Sequence, residues 1–325
     1  MSSNTRVITD AQRRFFEDTG YLVLESFFDD SELTPLIQEI TEEIDRLCLT
    51  LVQDGRLSRT FEEEDFEHRL TLIHSQSPDV CNAIKAGKLS GPAIYSLLTN
   101  PRLLDLAEVF CGPELLASSV YRLRPKMPGF SQGAVPWHQD SGYFEPICDA
   151  TLILTCWIPL TDATEERGCL WILPSQHRRG VFPHVPHAGK VFLQIPKDQL
   201  PPCESVCVPV PKGGLLLFTN TTPHASFDNS SSVIRWSFDV RYQSALKATS
   251  PAPSEPQPCY PPEADCLVRS SLRPHAVCKS AEDFRRIRSQ HSAGAMTDRW
   301  NLKSLGRDGW HGFSETYNFE KRSHK

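Results

Sequence analysis

Several features are scarce in this sequence, and each absence closes off a class of protein. Long apolar runs are missing: none approaches the ~18 residues that a membrane-spanning helix needs. The polar opening Met1-Ser2-Ser3-Asn4-Thr5-Arg6 does not read as a secretory signal. Positive charge is not in excess either. Its 34 lysines and arginines face 40 aspartates and glutamates, a net charge of −6 with a pI near 6.0. No basic cluster stands out to meet nucleic acid or an anionic membrane. Cysteine pairing is absent as a pattern: the 11 cysteines are scattered and odd in number, and the closest two, Cys203 and Cys207, do not form Cys-x-x-Cys. Reduced, mostly buried thiols are expected in place of a disulfide frame or zinc ribbon. There is no internal repeat, and Ser323-His324-Lys325 differs from a peroxisomal Ser-Lys-Leu. What remains by default is a cytoplasmic protein without nucleic-acid or membrane partners, for which a homodimer is allowed.

The 325 residues are 39% hydrophobic and 23% charged, enough to bury a large core. Thr9-Asp10-Ala11-Gln12 has capping-box spacing and opens a short helix to about Asp18. Gly20 ends it, and Tyr21–Leu24 reads as a strand. A second helix from about Ser31 carries Leu33, Leu36, Ile37, Ile40, Ile44 and Leu47 on one stripe. A third segment, about Ala93 to Phe110, is interrupted by Asn100-Pro101. The acidic run Glu62–Asp65 reads as a solvated turn or helix edge.

From Leu115 the pattern becomes β. Strands are expected over Leu116–Arg124, Pro136–Tyr143, Leu152–Leu160, Cys169–Leu173, Val191–Ile195, Gly213–Phe218 and Val233–Gln243. Many short strands behind a helical front predict a double-sheet jelly roll, or double-stranded β-helix. The chain divides into a helical front (about 1–114), a β core (about 115–243) and a C-terminal extension (about 244–325) of one domain. The extension begins with a Pro/Ser/Ala-rich linker and reads as polar and helix-poor. Trp300, Trp310, His311, Phe313, Tyr317 and Phe319 suggest that it folds back onto the β core.

The chemistry centres on Pro136-Trp137-His138-Gln139-Asp140-Ser141-Gly142-Tyr143. On a strand, residues two apart share a face, so His138 and Asp140 would project together. An imidazole and a carboxylate are two thirds of a facial 2-His-1-carboxylate site, which suits non-haem Fe(II). A second stretch supplies the remainder: the apolar run 213–218 leads to Pro223-His224-Ala225-Ser226, a polar turn follows, and Arg235 stands 11 residues beyond His224.

This combination resembles the phytanoyl-CoA dioxygenase family of Fe(II)- and 2-oxoglutarate-dependent oxygenases. Trp137-His138-Gln139-Asp140, Asp162-Ala163-Thr164 through Gly168-Cys169-Leu170-Trp171, and Leu173-Pro174-Ser175-Gln176-His177 all resemble family motifs, in order, across roughly residues 9–243. The resemblance implies that His138, Asp140 and His224 hold Fe(II), that 2-oxoglutarate and O2 are co-substrates, and that Arg235 clamps the far carboxylate of 2-oxoglutarate. Ser226 and Thr155 would donate hydroxyls to that carboxylate, and Trp157 would lie near it. Arg235 has a rival role as an ion-pair partner of Asp239. Arg122 and Arg124, at alternate positions, could meet an anionic substrate or be solvated strand-face residues; Tyr143 is a further candidate substrate contact. His177 and Trp171 read as structural. The implied reaction is hydroxylation, or another oxidation, of an unactivated C–H bond of a small-molecule substrate, a small or mid-sized metabolite, with release of succinate and CO2. A non-oxygenase cupin-like binding protein is the alternative; a halogenase of the same fold would need the Asp140 position vacant.

Overall fold

The amino terminus follows its local chemistry closely. In the computed structural model, which describes residues 7–85, 89–118, 121–129, 133–144, 146–187, 192–246 and 266–289, helix α1 is Asp10–Thr19. The Gln12 N–H donates to the Thr9 hydroxyl at 3.2 Å, and the Thr9 N–H donates to the Gln12 side chain at 2.8 Å. Two otherwise orphaned donors are thereby satisfied, worth about 1 kcal/mol. Gly20 ends the helix at φ +84°, a left-handed turn in which an added Cβ would meet the His177 ring at 2.5 Å. Strand β1 (Tyr21–Leu24) follows directly.

Helix α2 is Asp30–Gln53, and Leu33, Leu36, Ile40 and Ile44 are buried on its stripe. Helices α3 (Arg69–Gln76) and α4 (Asp79–Lys85) come next, two elements that the apolar pattern did not predict. The predicted third helix is two, α5 (Pro92–Leu98) and α6 (Pro101–Cys111). Asn100 separates them, its side chain accepting from the N–H groups of Arg102 at 3.0 Å and Leu103 at 3.2 Å.

The strands form two facing sheets. Strands β2 (Leu115–Ala117) and β3 (Arg122–Lys126) replace the single predicted strand through Leu116–Arg124. Next are β4 (Val135–His138), β5 (Ile153–Pro159), β6 (Leu170–Ile172), β7 (Val185–Pro186), β8 (Leu193–Gln194), β9 (Val206–Val208), β10 (Leu215–Thr219), β11 (His224–Ser226), β12 (Arg235–Ser244) and β13 (Cys266–Arg269). The large sheet runs β1-β10-β5-β12-β2-β13, with β3 also paired to β12; the small sheet runs β4-β11-β6-β9; β7 and β8 pair by themselves. All the strand pairs are antiparallel. The result is the expected jelly roll.

Alternation along β12 organises the molecule. Trp236, Phe238, Val240 and Tyr242 join the core shared with the helices. Arg235, Ser237, Asp239 and Arg241 belong to the opposite face by the period of two, and three of the four line the cleft between the sheets. Every residue of this strand is buried. A second apolar cluster fills that cleft, with Trp157, Leu216 and Phe218 from the large sheet against Leu170, Ile172 and Val208 from the small one.

Part of the C-terminal extension adds to the fold through residues other than the aromatics singled out above. Strand β13 extends the large sheet beside β2. Helix α7 (Ala281–Ser289) corrects the helix-poor reading. Its Phe284 ring lies 6.1 Å from Tyr95 and 6.0 Å from Tyr121. Trp300, Trp310, His311, Phe313, Tyr317 and Phe319 lie outside the described residues.

Candidate metal centre

The strand predicted to carry both His138 and Asp140 ends at His138, and Asp140 opens a 3₁₀ turn, Asp140–Tyr143. The two side chains therefore converge through a turn instead of by strand periodicity. Asn220 fixes this turn. It accepts the Ser141 N–H at 2.9 Å, and its side-chain amide donates to the Ser141 hydroxyl at 2.9 Å. Gln139, fully buried between the two, points elsewhere and ties three loops. Its amide donates to the carbonyls of Gly180 at 2.8 Å and Thr221 at 2.6 Å, and its oxygen accepts the Phe182 N–H at 2.7 Å.

His224 is the cross-strand partner of His138 in the β4–β11 ladder, with ring centroids 4.2 Å apart. The potential ligand atoms of His138, Asp140 and His224 lie within 4.8 Å of one another, and all three residues are buried. Each imidazole is held by a backbone carbonyl two residues earlier. His138 Nδ1 lies 2.8 Å from Pro136 O, and His224 Nδ1 lies 3.0 Å from Thr222 O. A carbonyl only accepts, so each Nδ1 carries the proton and each Nε2 keeps its lone pair for a metal. Burial pushes both imidazoles below their ordinary pKa, His138 strongly so with His224 adding to the effect. They are neutral ligands before any ion arrives.

The carboxylate is held in the opposite charge state. Burial alone would raise the pKa of Asp140. The Arg241 guanidinium, charged and hydrogen-bonded to the group, outweighs it and holds the group well below the usual carboxylate range. Arg241 Nε donates to Oδ2 at 3.0 Å and Nη2 to Oδ1 at 3.2 Å. Its third edge, Nη1, donates to Asp239 Oδ2 at 3.0 Å. Oδ1 has one long hydrogen bond and retains capacity to bind a cation. Two neutral nitrogens and one oxyanion, all buried and locked, fit a divalent iron with half its coordination sphere open.

Thr155 faces this carboxylate: its hydroxyl donates to Asp140 Oδ2 at 2.7 Å. That proton is therefore directed at the metal ligand in this structure and not at a co-substrate position. Thr155→Val, nearly isosteric, is expected to weaken metal affinity at least tenfold with little loss of fold stability. A Mn(II) titration of variant and wild type checks this; identical affinities would remove Thr155 from the site.

Arg235 is 2% exposed and has no carboxylate within ion-pair distance among the described residues. Its Nη1 donates to the Ser237 hydroxyl at 2.5 Å, its Nε lacks a partner, and its guanidinium sits 5.2 Å from the Trp157 ring centroid. Burial, with the nearby Arg124 charge, brings its pKa down to about 9. Asp239, the rival partner considered for Arg235, is bound instead by Arg124 Nε at 2.9 Å and by Arg241. Arg235 is thus a buried cation with an orphaned N–H, an arrangement that costs free energy until a partner reaches it.

The remaining candidates divide. Arg124, Trp157, Ser226 and Arg235 line one pocket with the triad, Asp239 and Arg241. The Ser226 hydroxyl donates to Gly168 O at 2.9 Å. Arg122 is buried, donates to Tyr121 O at 2.8 Å and is not among the residues lining this pocket. Tyr143 stands edge-on to His138 with centroids 5.7 Å apart, and its hydroxyl accepts the Leu193 N–H at 2.9 Å. His177 bonds Glu17 O beside Gly20. Reading the sequence missed the roles of Gln139, Ser237, Asp239 and Arg241. The signal for the last three was polar residues at every second position of an otherwise apolar strand.

Comparison with known proteins agrees with this geometry. The family model described as phytanoyl-CoA dioxygenase (PhyH) matches residues 16–237. The human peroxisomal phytanoyl-CoA dioxygenase is 25% identical over 256 residues, 74% of this chain and 70% of that protein. A probable alpha-ketoglutarate-dependent hypophosphite dioxygenase of Stutzerimonas stutzeri is 26% identical over 240 residues, 72% of this chain and 78% of that protein. Among solved structures, EvdO2 from Micromonospora carbonacea var. aurantiaca, complexed with 2-oxoglutarate, shares the fold. Its TM-score is 0.52 at 24% identity, covering 76% of this chain and 95% of that one. The chain belongs to the phytanoyl-CoA dioxygenase family, whose members are non-haem iron- and 2-oxoglutarate-dependent oxygenases.

Proposed function

We propose that this protein oxidises an unactivated C–H bond of a small or mid-sized metabolite, by hydroxylation or a related two-electron oxidation, with release of succinate and CO2. One observation carries the reading: a buried His138-Asp140-His224 triad opens into the same pocket as Arg235, a buried guanidinium with no anion of its own. Iron and 2-oxoglutarate, when bound, supply the oxidising power: one O2 converts 2-oxoglutarate to succinate and CO2 and leaves one oxygen atom for the substrate. The protein contributes order. His138 and His224 hold the ion as neutral donors, and Asp140, kept anionic by Arg241, holds it from the third side. Arg235 binds the far carboxylate of 2-oxoglutarate through its guanidinium, with Ser237 steadying one nitrogen and Trp157 beneath. Seating that carboxylate at Arg235 aligns the other end of the molecule with the triad and excludes water from the pocket.

The experiment separates the two halves of the site. Arg235→Lys keeps a charge but loses the planar fork, so the expected result is a 2-oxoglutarate KM raised about ten- to a hundredfold. Fe(II) affinity should stay near the wild-type value. The readout is 2-oxoglutarate-dependent succinate release alongside a metal titration. No 2-oxoglutarate-dependent succinate from the wild type would end the dioxygenase reading; an unchanged KM in the variant would end the role of Arg235.

A further inference from the structure

The pocket does not balance its charges, and the excess defines what else it takes. Three guanidiniums line it, those of Arg124, Arg235 and Arg241, against two carboxylates, Asp140 and Asp239. Asp239 is shared: Arg124 binds Oδ1 at 2.9 Å and Arg241 binds Oδ2 at 3.0 Å. Arg241 then reaches Asp140, so four side chains form an alternating row with no net charge. Arg235 stands outside the row as one uncompensated positive charge. Fe(II) brings two positive charges and 2-oxoglutarate two negative ones, so loading the site with both leaves the excess unchanged. Asp140 must by then serve Arg241 and the ion together. A positive charge held in a largely desolvated cleft favours an anionic group entering beside it.

The position of that group follows from exposure. The Arg241 side chain is 9% exposed and engaged on three edges, and Arg235 is 2% exposed. The Arg124 side chain is 29% exposed and binds Asp239 through Nε. Lys126, on the same face of β3, turns its amine to the carbonyls of Gly133, Ser226 and Phe227. Resting on the dioxygenase reading above, we infer that the oxidised substrate carries an anionic group, a carboxylate or a phosphonate, and that Arg124 anchors it beside the metal. Arg124 is thus a specificity-determining residue, separate from the co-substrate clamp at Arg235.

The test uses the full-length protein with Mn(II) in place of iron and 2-oxoglutarate at saturation. The probes are two matched pairs: hexanoate with hexanamide, and methylphosphonate with its neutral dimethyl ester. Paramagnetic broadening of each probe's proton resonances reads only molecules that approach the Mn(II). The expected result is binding about tenfold tighter for an anion than for its neutral twin, in one pair or both, unchanged when 2-oxoglutarate is doubled. A preference in only one pair identifies the anion class. Arg124→Gln should abolish the preference, and Arg124→Lys should keep most of it. Equal broadening of both twins in the wild type overturns the inference without any variant, as does a wild-type preference in Arg124→Gln. A 2-oxoglutarate affinity damaged as much in Arg124→Gln as in Arg235→Lys would place Arg124 on the co-substrate instead, and overturns it too. Failure of Mn(II) or 2-oxoglutarate to bind the wild type is seen before any probe is added, and would instead sink the dioxygenase reading on which the inference rests.

Discussion

His224→Ala is expected to abolish metal binding at working concentrations and reduce turnover to background. The variant leaves one imidazole and one carboxylate, and the carboxylate is already gripped by Arg241. Two ligands do not hold a divalent ion against water in a site built for three. Thermal unfolding with and without Mn(II) gives a readout independent of catalysis. In the wild type, metal at about a hundred times its Kd adds roughly 2.7 kcal/mol to stability, and in His224→Ala that increment should vanish. The metal-free variant should itself lose some stability, because a buried ring packed on Phe218 and His138 is removed, so the comparison is of the metal-dependent increment within each protein. A variant that keeps the Mn(II)-dependent gain would show that the ion sits elsewhere.

Arg241→Met is expected to give the largest loss of stability. It removes one guanidinium from two buried carboxylates, Asp140 and Asp239. Breaking a buried pair from one side costs about 3–5 kcal/mol, out of a total that is about 5–15 kcal/mol for a typical domain. The sign with pH follows from the carboxylate. In the wild type the pKa of Asp140 is depressed in the folded state, so its contribution is present above about 3.9, the ordinary value, and is lost below it. Without Arg241, burial dominates and raises that pKa, so the variant recovers stability as pH falls from 7 toward 5 while the wild type gains nothing from Asp140. Denaturant melts of both proteins across that range should converge. A constant gap would show that Arg241 acts through packing and not through charge.

How much of this was legible in the sequence varies with the reach of the interaction involved. The ends of α1 were readable because Thr9, Gln12 and Gly20 act within a turn of themselves. That His138, Asp140, His224 and Arg235 would meet at one pocket was readable by spacing, although the mechanism that brings His138 and Asp140 together was misjudged: a turn, fixed by Asn220, does what strand periodicity was expected to do. Arg241 and Asp239 were visible as polar residues at alternate positions of an apolar strand, but that alternation does not say what they bind. Their roles depend on which residues β5 and β3 set beside them, and pairing partners are not written in a single strand. Thr155 shows the same limit. Its place on a buried strand was foreseen, whereas the direction of its hydroxyl is set by a carboxylate 15 residues away. Helix α7 was missed because its apolar content is low, yet Ser280 accepting the Asp283 N–H at 3.0 Å is a local start signal of the same kind as Thr9.

Strand β12 couples two things usually free to change separately. Trp236, Phe238, Val240 and Tyr242 join the core shared with the helices, and Arg235, Asp239 and Arg241 line the pocket, all within ten consecutive residues. Inserting or deleting one residue near Arg235 would therefore exchange the two sets, turning Trp236 and Phe238 toward the ion and burying guanidiniums among the helices. Such a slip is lethal to fold and chemistry at once. Point substitutions on the odd positions leave the helix packing untouched. Lineages descended from this chain should accordingly diversify what they oxidise by exchanging residues at facing positions such as 124, while keeping the length of this strand fixed.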